Sequence, residues 1–197
     1  MGPDLDAAAA TLNGLRPFPV AITTVSGGRT NGLISLSAGG GSILPEAPRV
    51  TISITKYNFS HDLVRESGVF ALHLLGASDE LLPRSLRTIM TLGGSSGRDG
   101  DKLAGLDWTP GVTGSPVLAD ALSYVEGRVV GVLDNEENSI FLADVVAAER
   151  LHGGRRLDIG TAWKALPAEW TETYDREHLH QTNAARRARG LPELTDH

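Results

Sequence analysis

The segment 50–75 restricts the fold more than any other part of this sequence. Val50–Ile54 alternates around β-branched residues, which predicts a strand with one buried face. Val69–Leu75 is almost entirely apolar, as in a strand that is buried on both faces. Between them, Ser60 is expected to be the N-cap of a short helix, and Gly68 to end that helix. The order strand, loop, short helix, strand favours a β-rich domain.

The loop that precedes this helix carries several groups that bind phosphate. Lys56 supplies a cation, Asn58 an amide and Ser60 a hydroxyl, and His61 is placed to donate to an anion or to cap the helix. The helix N-terminus adds free backbone N–H groups. The same residues are also compatible with an ordinary capped helix that binds no ligand. The local chemistry leaves both interpretations open.

Most of the remaining sequence predicts short strands separated by turns that contain Gly and Pro. Further strands are expected at 18–26, 30–37, 106–109, 116–118, 122–133 and 138–150. Helices are expected at 1–12 and, after a Ser78 cap, up to Leu92, followed by a loop at 93–100. Gly39–Gly41 is expected to lack regular structure, because glycine loses more backbone entropy on ordering than other residues. Many short strands and few helices favour a barrel.

The sequence changes character near residue 157. From Trp163 to Tyr174, aromatic and leucine side chains recur at helical spacing and form an apolar stripe. Such a stripe has to pack against the same chain or against a partner subunit. We therefore divide the chain into a β domain at 1–156 and a C-terminal helical extension at 157–197.

Composition argues against several classes of function. The net charge is −6 and the predicted barrel carries no basic stripe, so nucleic acid is not expected as a partner. Cysteine is absent, which excludes disulfides, thiolate metal sites and cysteine catalysis. No apolar run approaches about 18 residues and the start lacks a basic region, so neither a membrane span nor a signal peptide is expected. These features are those of a cytoplasmic protein.

Four stretches resemble, in the same order along the chain, the motifs of one protein family. They are Asn31-Gly32-Leu33, the segment 53–71, Asp101–Gly105 with Gly114–Leu118, and Ile140–Val146. Within 53–71 the matching residues are Ser53-Ile54, Lys56, Asn58, Ser60-His61-Asp62, Glu66-Ser67-Gly68 and Phe70-Ala71. Through these motifs the chain resembles the flavin reductase-like family, the FMN-binding split barrels, over residues 15–146.

The resemblance implies a mainly β fold with helices, an FMN-binding split β-barrel of the Greek-key type with a C-terminal helical extension. It implies an oxidoreductase that passes hydride from NADH or NADPH to FMN, or to FAD as a substrate, and supplies reduced flavin to a monooxygenase. It also implies a homodimer with flavin sites near the subunit interface. An FMN carrier without reductase activity and a haem-binding relative use the same fold, which does not separate these functions.

The resemblance also implies which residues hold the cofactor. Gly32–Ser42 resembles the ring-binding stretch of the family, although Ala38 replaces a frequent Phe and Gly39–Gly41 replaces Thr-Ser-Val. The residues expected to bind cofactor are Asn31, Ser35, Leu36, Ser37, Ala38, Gly39, Gly40, Ser42, Ser53, Lys56, Asn58, Ser60, His61, Arg98 and Lys102. No catalytic acid–base pair is assigned, because the flavin itself carries the hydride chemistry.

Other polar residues are given structural interpretations. His73, inside a buried strand, is interpreted as a core histidine with its hydrogen bonds satisfied. The 98–102 loop either faces the nicotinamide or the flavin edge, or is a solvated charged turn. The run Glu177–His180 does not predict a metal site, because positions i and i+2 of a helix face different sides.

Overall fold

The computed structural model describes residues 4–98 and 100–195. Its strands are β1 Val20–Ser26, β2 Arg29–Ser35, β3 Ala38–Gly40, β4 Arg49–Thr55, β5 Val69–Leu74, β6 Trp108–Pro110, β7 Pro116–Leu118, β8 Ser123–Asp134 and β9 Asn138–Arg150. Its helices are α1 Leu5–Gly14, α2 Phe59–Ser67, α3 Leu81–Gly93, α4 Ile159–Ala165 and α5 Ala168–Ala188.

Seven strands form one antiparallel sheet in the order β2-β1-β5-β8-β9-β4-β3, and β6 and β7 pair separately. The long strands β8 and β9 shift register between Glu126 and Gly127 and between Val129 and Gly131. Such irregularities bend strands and increase their twist, and the sheet curls into a half-barrel. This architecture confirms the prediction of a mainly β, barrel-like fold.

Two apolar cores lie on opposite faces of this sheet. Ile22 and Phe70 belong to the core inside the curled sheet, and both are fully buried. Ala21 belongs to the second core, where Leu92 of α3 and Leu157 are also buried. Ala21 and Ile22 separate because successive side chains of a strand point to opposite faces. The central strands are therefore apolar on both faces, as the sequence of β5 predicts.

His73 of β5 is part of this second layer, and the core interpretation is confirmed. Its Nδ1 lies 3.2 Å from the carbonyl oxygen of Ala21, and the backbone N–H of Leu118 donates to its Nε2 at 3.1 Å. Nδ1 must therefore carry the proton of a neutral ring. Complete burial lowers the pKa of His73 to about 4, which keeps the ring neutral at physiological pH.

The start of α2 differs from the prediction. The helix begins at Phe59, and Asn58, with extended backbone at φ −71° and ψ 130°, is the N-cap, so the assignment of Ser60 as the cap is wrong. The Ser60 hydroxyl is buried and accepts a hydrogen bond from Asn31 Nδ2 instead. Tertiary packing against β2 thus determines the place of Ser60. Gly68 ends the helix in the left-handed conformation, at φ 68°, as predicted.

The glycine run also differs from the prediction. Gly39 and Gly40 lie in β3, which pairs with β4, so the expectation of no regular structure is wrong for these two residues. Thr51 Oγ1 donates to the carbonyl oxygen of Gly39 at 3.2 Å. A Cβ at Gly41 would lie 2.7 Å from Leu142 Cδ1, so the chain approaches β9 closely there. The absence of a side chain at Gly41 permits this close approach.

Smaller shifts occur at other boundaries. The helix expected at 1–12 is found at Leu5–Gly14, and residues 1–3 lie outside the described residues. Ser78 Oγ accepts from the N–H of Leu81, where α3 begins. The strand expected at 106 begins at Trp108, and position 99 of the expected 93–100 loop also lies outside the described residues. Among those residues, no helix has both the length and the apolarity to cross a membrane.

Candidate functional site

The first turn of α2 packs against β2 through two buried polar side chains. Asn31 Nδ2 donates to Ser60 Oγ at 2.9 Å. Asn31 Oδ1 is also buried, and it has no hydrogen-bond partner among the described residues. Gly97 covers this carboxamide, because a Cβ built at Gly97 would lie 2.2 Å from Asn31 Oδ1. A buried acceptor of this kind is costly unless a water or a ligand donates to it.

A small polar cavity of about 60 Å³ lies beside Asn31. Asn58 and Lys102 line it from the barrel, and Glu177 and Gln181 line it from α5. Such a volume holds water, or one edge of a larger ligand that enters from outside. The cavity therefore leaves space beside Asn31 for a water or a ligand edge to donate to its unpartnered oxygen.

Lys102 is buried beneath this cavity. Its Nζ donates to the carbonyl oxygen of Leu92. Burial lowers the pKa of Lys102 to about 8, and the charge of Glu177 opposes this effect. The interpretation of the 98–102 loop as a solvated charged turn is therefore wrong for Lys102.

A larger cleft of about 840 Å³ adjoins the small cavity, and the two share residues such as Tyr57, Ser95 and Glu177. The volume lies in the range of small-molecule sites, about 300–1,000 Å³. Its charged and titratable lining residues are Lys56 and Arg98 from the barrel and Arg176, Glu177 and His180 from α5.

Carboxylates hold both barrel cations of this cleft. Lys56 Nζ lies 2.8 Å from Asp134 Oδ1, and its hydrogen bond is the main cause that lowers the pKa of Asp134. Arg98 Nη2 donates to Asp62 Oδ2 at 3.0 Å, and its Nη1 donates to the carbonyl oxygen of Tyr57 at 2.9 Å. These contacts fix the position of Lys56 and Arg98 beside the 56–61 loop. The paired carboxylates also offset part of the positive charge of each cation.

His61 connects this loop to β9, and Ser53 connects β4 to the same strand. Ser139 Oγ donates to Asp134 Oδ1 at 3.1 Å. His61 Nε2 lies 2.9 Å from Ser139 Oγ, and its Nδ1 lies 3.3 Å from Asp62 Oδ1. Ser53 Oγ accepts from Asn138 Nδ2 at 3.0 Å. Both side chains make their hydrogen bonds inside the protein, which suits a role in positioning the loop.

The glycine run lies at the other end of β4. Leu36, Ala38, Gly39 and Gly40 line a separate pocket of about 420 Å³, together with Phe18. β3 is the edge strand of the sheet, so its outer backbone groups have no strand partner. A Cβ at Gly40 would meet no atom within 4 Å. This end of β4 offers backbone groups and an apolar pocket.

The serines of the same stretch make local hydrogen bonds. Ser35 Oγ accepts from the N–H of Ser37, and Ser42 Oγ accepts from the N–H of Leu44, both at 3.0 Å. The N–H of Ser53 donates to the carbonyl oxygen of Ser37 at 2.9 Å. Ser35 and Ser42 therefore stabilise local turns through their hydroxyl groups, and the Ser37 backbone pairs with β4.

The structure thus gathers most of the expected cofactor residues into two groups. The polar group contains Asn31, Lys56, Asn58, Ser60, Arg98 and Lys102. The glycine group contains Leu36, Ala38, Gly39 and Gly40. From Thr51, which pairs with Gly39, to Lys56, an extended chain covers about 16 Å. The two groups are therefore separated by approximately the length of one strand.

The residues that α5 contributes to the cleft were absent from the sequence prediction. Thr173, Arg176, Glu177 and His180 have the spacing i, i+3, i+4, i+7, which places them on one helix face. The sequence shows this spacing, but no local pattern indicates that this face of the helix meets the barrel. No group of three or more metal-binding side chains occurs within 4–98 and 100–195.

The sequence of this chain is similar to those of several known proteins. The chain is 32% identical over 134 residues to a high molecular weight rubredoxin of Moorella thermoacetica, a match that covers 68% of this chain but only 56% of that protein. It is 27% identical over 158 residues to HsaB, a flavin-dependent monooxygenase reductase subunit of Rhodococcus jostii, with 77% and 75% covered.

The fold has solved counterparts. The NADH:FAD oxidoreductase SgcE6 of Streptomyces globisporus has a TM-score of 0.63 at 23% identity, with 80% of this chain and 89% of that chain covered. This likeness supports the split-barrel fold. The family model for the flavin reductase like domain matches residues 14–165, well over half of the chain. The chain therefore belongs to the flavin reductase-like family.

Proposed function

We propose that this protein is an NAD(P)H-dependent flavin reductase that takes FMN, and FAD as an alternative substrate. Family membership supports this proposal. So do the names of two relatives, a monooxygenase reductase subunit in Rhodococcus jostii and an NADH:FAD oxidoreductase in Streptomyces globisporus. The proposal extends to NADPH as well as NADH as the hydride donor.

The observation that carries the proposal is the unpartnered Oδ1 of Asn31 next to the 56–61 loop. FMN has hydroxyl donors on its ribityl chain, directly beside an anionic phosphate. Asn31 Oδ1 would accept from such a hydroxyl, while Lys56, Asn58 and the backbone N–H groups at the start of α2 would hold the phosphate. The donors and the acceptor at this end of β4 therefore fit that part of the cofactor.

The glycine end of β4 fits the ring. The open edge of β3 would supply backbone N–H and C=O groups to the pyrimidine edge, and the absence of side chains at Gly39 and Gly40 permits close approach. Leu36 and Phe18 would add apolar contact. The ring, when bound, supplies the hydride-accepting chemistry, and the chain supplies its position and surroundings.

The proposal includes the oligomeric state of the protein and its place in the cell. We propose a homodimer that acts in the cytoplasm and passes reduced flavin to a flavin-dependent monooxygenase. Exposed apolar side chains on β8 and β9 support self-association, and they are Val130, Val132, Leu133, Ile140 and Val146. In contrast, the apolar stripe of the C-terminal segment packs on its own chain, where Trp170 Nε1 donates to the carbonyl oxygen of Met90 at 3.2 Å.

The test is oxidation of NADH and NADPH by the purified protein, followed by absorbance, with FMN, with FAD and without flavin. The expected result is flavin-dependent oxidation of at least one nicotinamide. Tight flavin binding without oxidation would instead favour the carrier function. A protein that neither binds flavin nor oxidises NAD(P)H would contradict the proposal.

A further inference from the structure

The helix α5 forms one wall of the large cleft, although it lies outside the part of the chain that matches the family. The match ends at residue 165, and α5 is Ala168–Ala188. Thr173, Arg176, Glu177 and His180 on one face of α5 line the cleft opposite Lys56 and Arg98. The cleft thus combines residues of the part that matches the family with residues of a helix that lies beyond that match.

Aromatic packing fixes the position of α5. Trp170 stacks on Tyr174, with ring centroids 5.2 Å apart, and donates from Nε1 to the carbonyl oxygen of Met90. Gly93 and Gly94 admit the indole, because a Cβ at either position would lie 3.2 Å or 2.7 Å from it. The cleft-lining side chains, which lie from about one to about three turns beyond Trp170 on α5, are therefore held at the cleft by a packed anchor.

Arg176 differs from the other cations of the cleft. Lys56 and Arg98 already contact Asp134 and Asp62. Arg176 Nη2 donates to Thr173 Oγ1 at 3.1 Å, and among the described residues it has no carboxylate within 4.0 Å. A guanidinium that bonds only a hydroxyl keeps its capacity to bind an anion by charge-assisted hydrogen bonds.

The size of the cleft favours a ligand larger than a phosphate ion. The cleft has a volume of about 840 Å³ and adjoins the small cavity beside Asn31. The two share lining residues, among them Tyr57, Ser95 and Ser96. The hydroxyls of Ser95, Ser96 and Thr173 add donors, and Tyr57 adds an aromatic ring. Phosphate-binding cations together with polar donors and an aromatic ring suit the phosphate and adenosine groups of a dinucleotide.

We infer that Arg176 and His180 of α5 form an anion subsite for the pyrophosphate of an adenine dinucleotide, beyond the phosphate seat at 56–61. The inference rests on the proposed function and names the part of the substrate that α5 recognises. FAD and NAD(P)H both carry this pyrophosphate-linked adenosine. In this inference α5 strengthens the binding of FAD relative to FMN, or holds the nicotinamide donor.

The test compares Arg176→Gln with Arg187→Gln. Arg187 is a matched control on the same helix, since it is exposed, pairs with Glu193 at 2.8 Å and does not line the cleft. Both variants and the wild type are titrated with ADP, FMN and FAD, and the KM for NADH and NADPH is measured with FMN. Circular dichroism verifies that each variant is folded.

The expected result is a rise of about tenfold in the Kd for ADP in Arg176→Gln alone, the scale of one charge-assisted hydrogen bond. A similar rise in the FAD Kd relative to FMN, or in the KM for NADH or NADPH, identifies the source of the phosphates. Values that match Arg187→Gln for all these ligands overturn the inference, and so does a change for ADP alone. The ADP and FAD titrations need no turnover, so they decide the matter even if the protein oxidises no NAD(P)H and the proposed function fails.

Discussion

The two ends of β4 present opposite kinds of surface. At the 56–61 end, polar side chains are each fixed by a partner, as in the pairs Asn31–Ser60 and Lys56–Asp134. At the β3 end, Gly39 and Gly40 present backbone and empty space. In the proposed placement of FMN, the first surface would recognise charge and the second would recognise shape. Binding energy at the first should therefore depend on salt and on charged side chains, and at the second on steric fit.

Filling the glycine end should have the greatest effect on FMN. Gly40→Val puts a branched side chain where the ring would lie, and we expect the FMN Kd to rise on the order of 100-fold, about 2.7 kcal/mol. The thermal midpoint should change little, because a Cβ at Gly40 meets no atom within 4 Å. Fluorescence quenching and thermal unfolding measure these two quantities.

The control for this variant is Gly105→Val, since a Cβ at Gly105 also meets no atom within 4 Å and the residue is exposed. If Gly40→Val keeps both the FMN affinity and the thermal midpoint of the wild type, the glycine end does not contact the flavin.

Removing polar groups from the 56–61 end should have a smaller, salt-dependent effect. Lys56→Ala combined with Ser60→Ala should weaken FMN binding by about 1–3 kcal/mol, the scale of lost charge-assisted hydrogen bonds. The deficit should shrink as ionic strength rises, because salt screens the exposed Lys56 charge. Lys164→Ala, which removes an exposed lysine of α4, is the control. Unchanged FMN affinity in the double variant would remove this loop from the site.

The buried cation behind the polar end gives a test by pH. Burial lowers the pKa of Lys102 to about 8 from 10.5 in an exposed lysine. Between these values the unfolded chain binds more protons than the folded one, so stability should rise with pH. The slope from this group is at most about 1.4 kcal/mol per pH unit. Denaturant unfolding measures the free energy of unfolding of wild type and of Lys102→Met. Between about pH 8 and pH 10.5, the free energy of unfolding of the wild type should rise relative to that of the variant. A difference that is constant with pH would show that Lys102 is not desolvated.

The sequence predicted the strands better than the site, and particular residues show why. Alternation and β-branching in Val50–Ile54 are local signals, and β4 formed where they indicated. Ser60 carried a local capping signal, but its contact with Asn31 on β2 moved it into the packed first turn of α2. Tertiary packing overrides a local preference of this kind, which amounts to about 1 kcal/mol.

The sequence predicted the residues of the 56–61 loop but not those of α5, because only the former lie next to one another in the chain. The 56–61 loop is contiguous in sequence, so the sequence alone shows its cation, amide and hydroxyl groups together. The cleft wall on α5 meets that loop only after folding, through the packing of Trp170 against Gly93 and Gly94. No local pattern near Arg176 indicates that Lys56 and Arg98 lie across from it.

The most direct test of the account compares FMN with riboflavin, which lacks the phosphate, in titrations of the wild type, Lys56→Ala/Ser60→Ala and Gly40→Val. The account predicts that wild type prefers FMN, that this preference is largely lost in the double variant, and that Gly40→Val weakens both ligands alike and keeps the preference. An equal preference for FMN in the wild type and in the double variant would contradict it, because the phosphate would then lie elsewhere than the 56–61 end of β4.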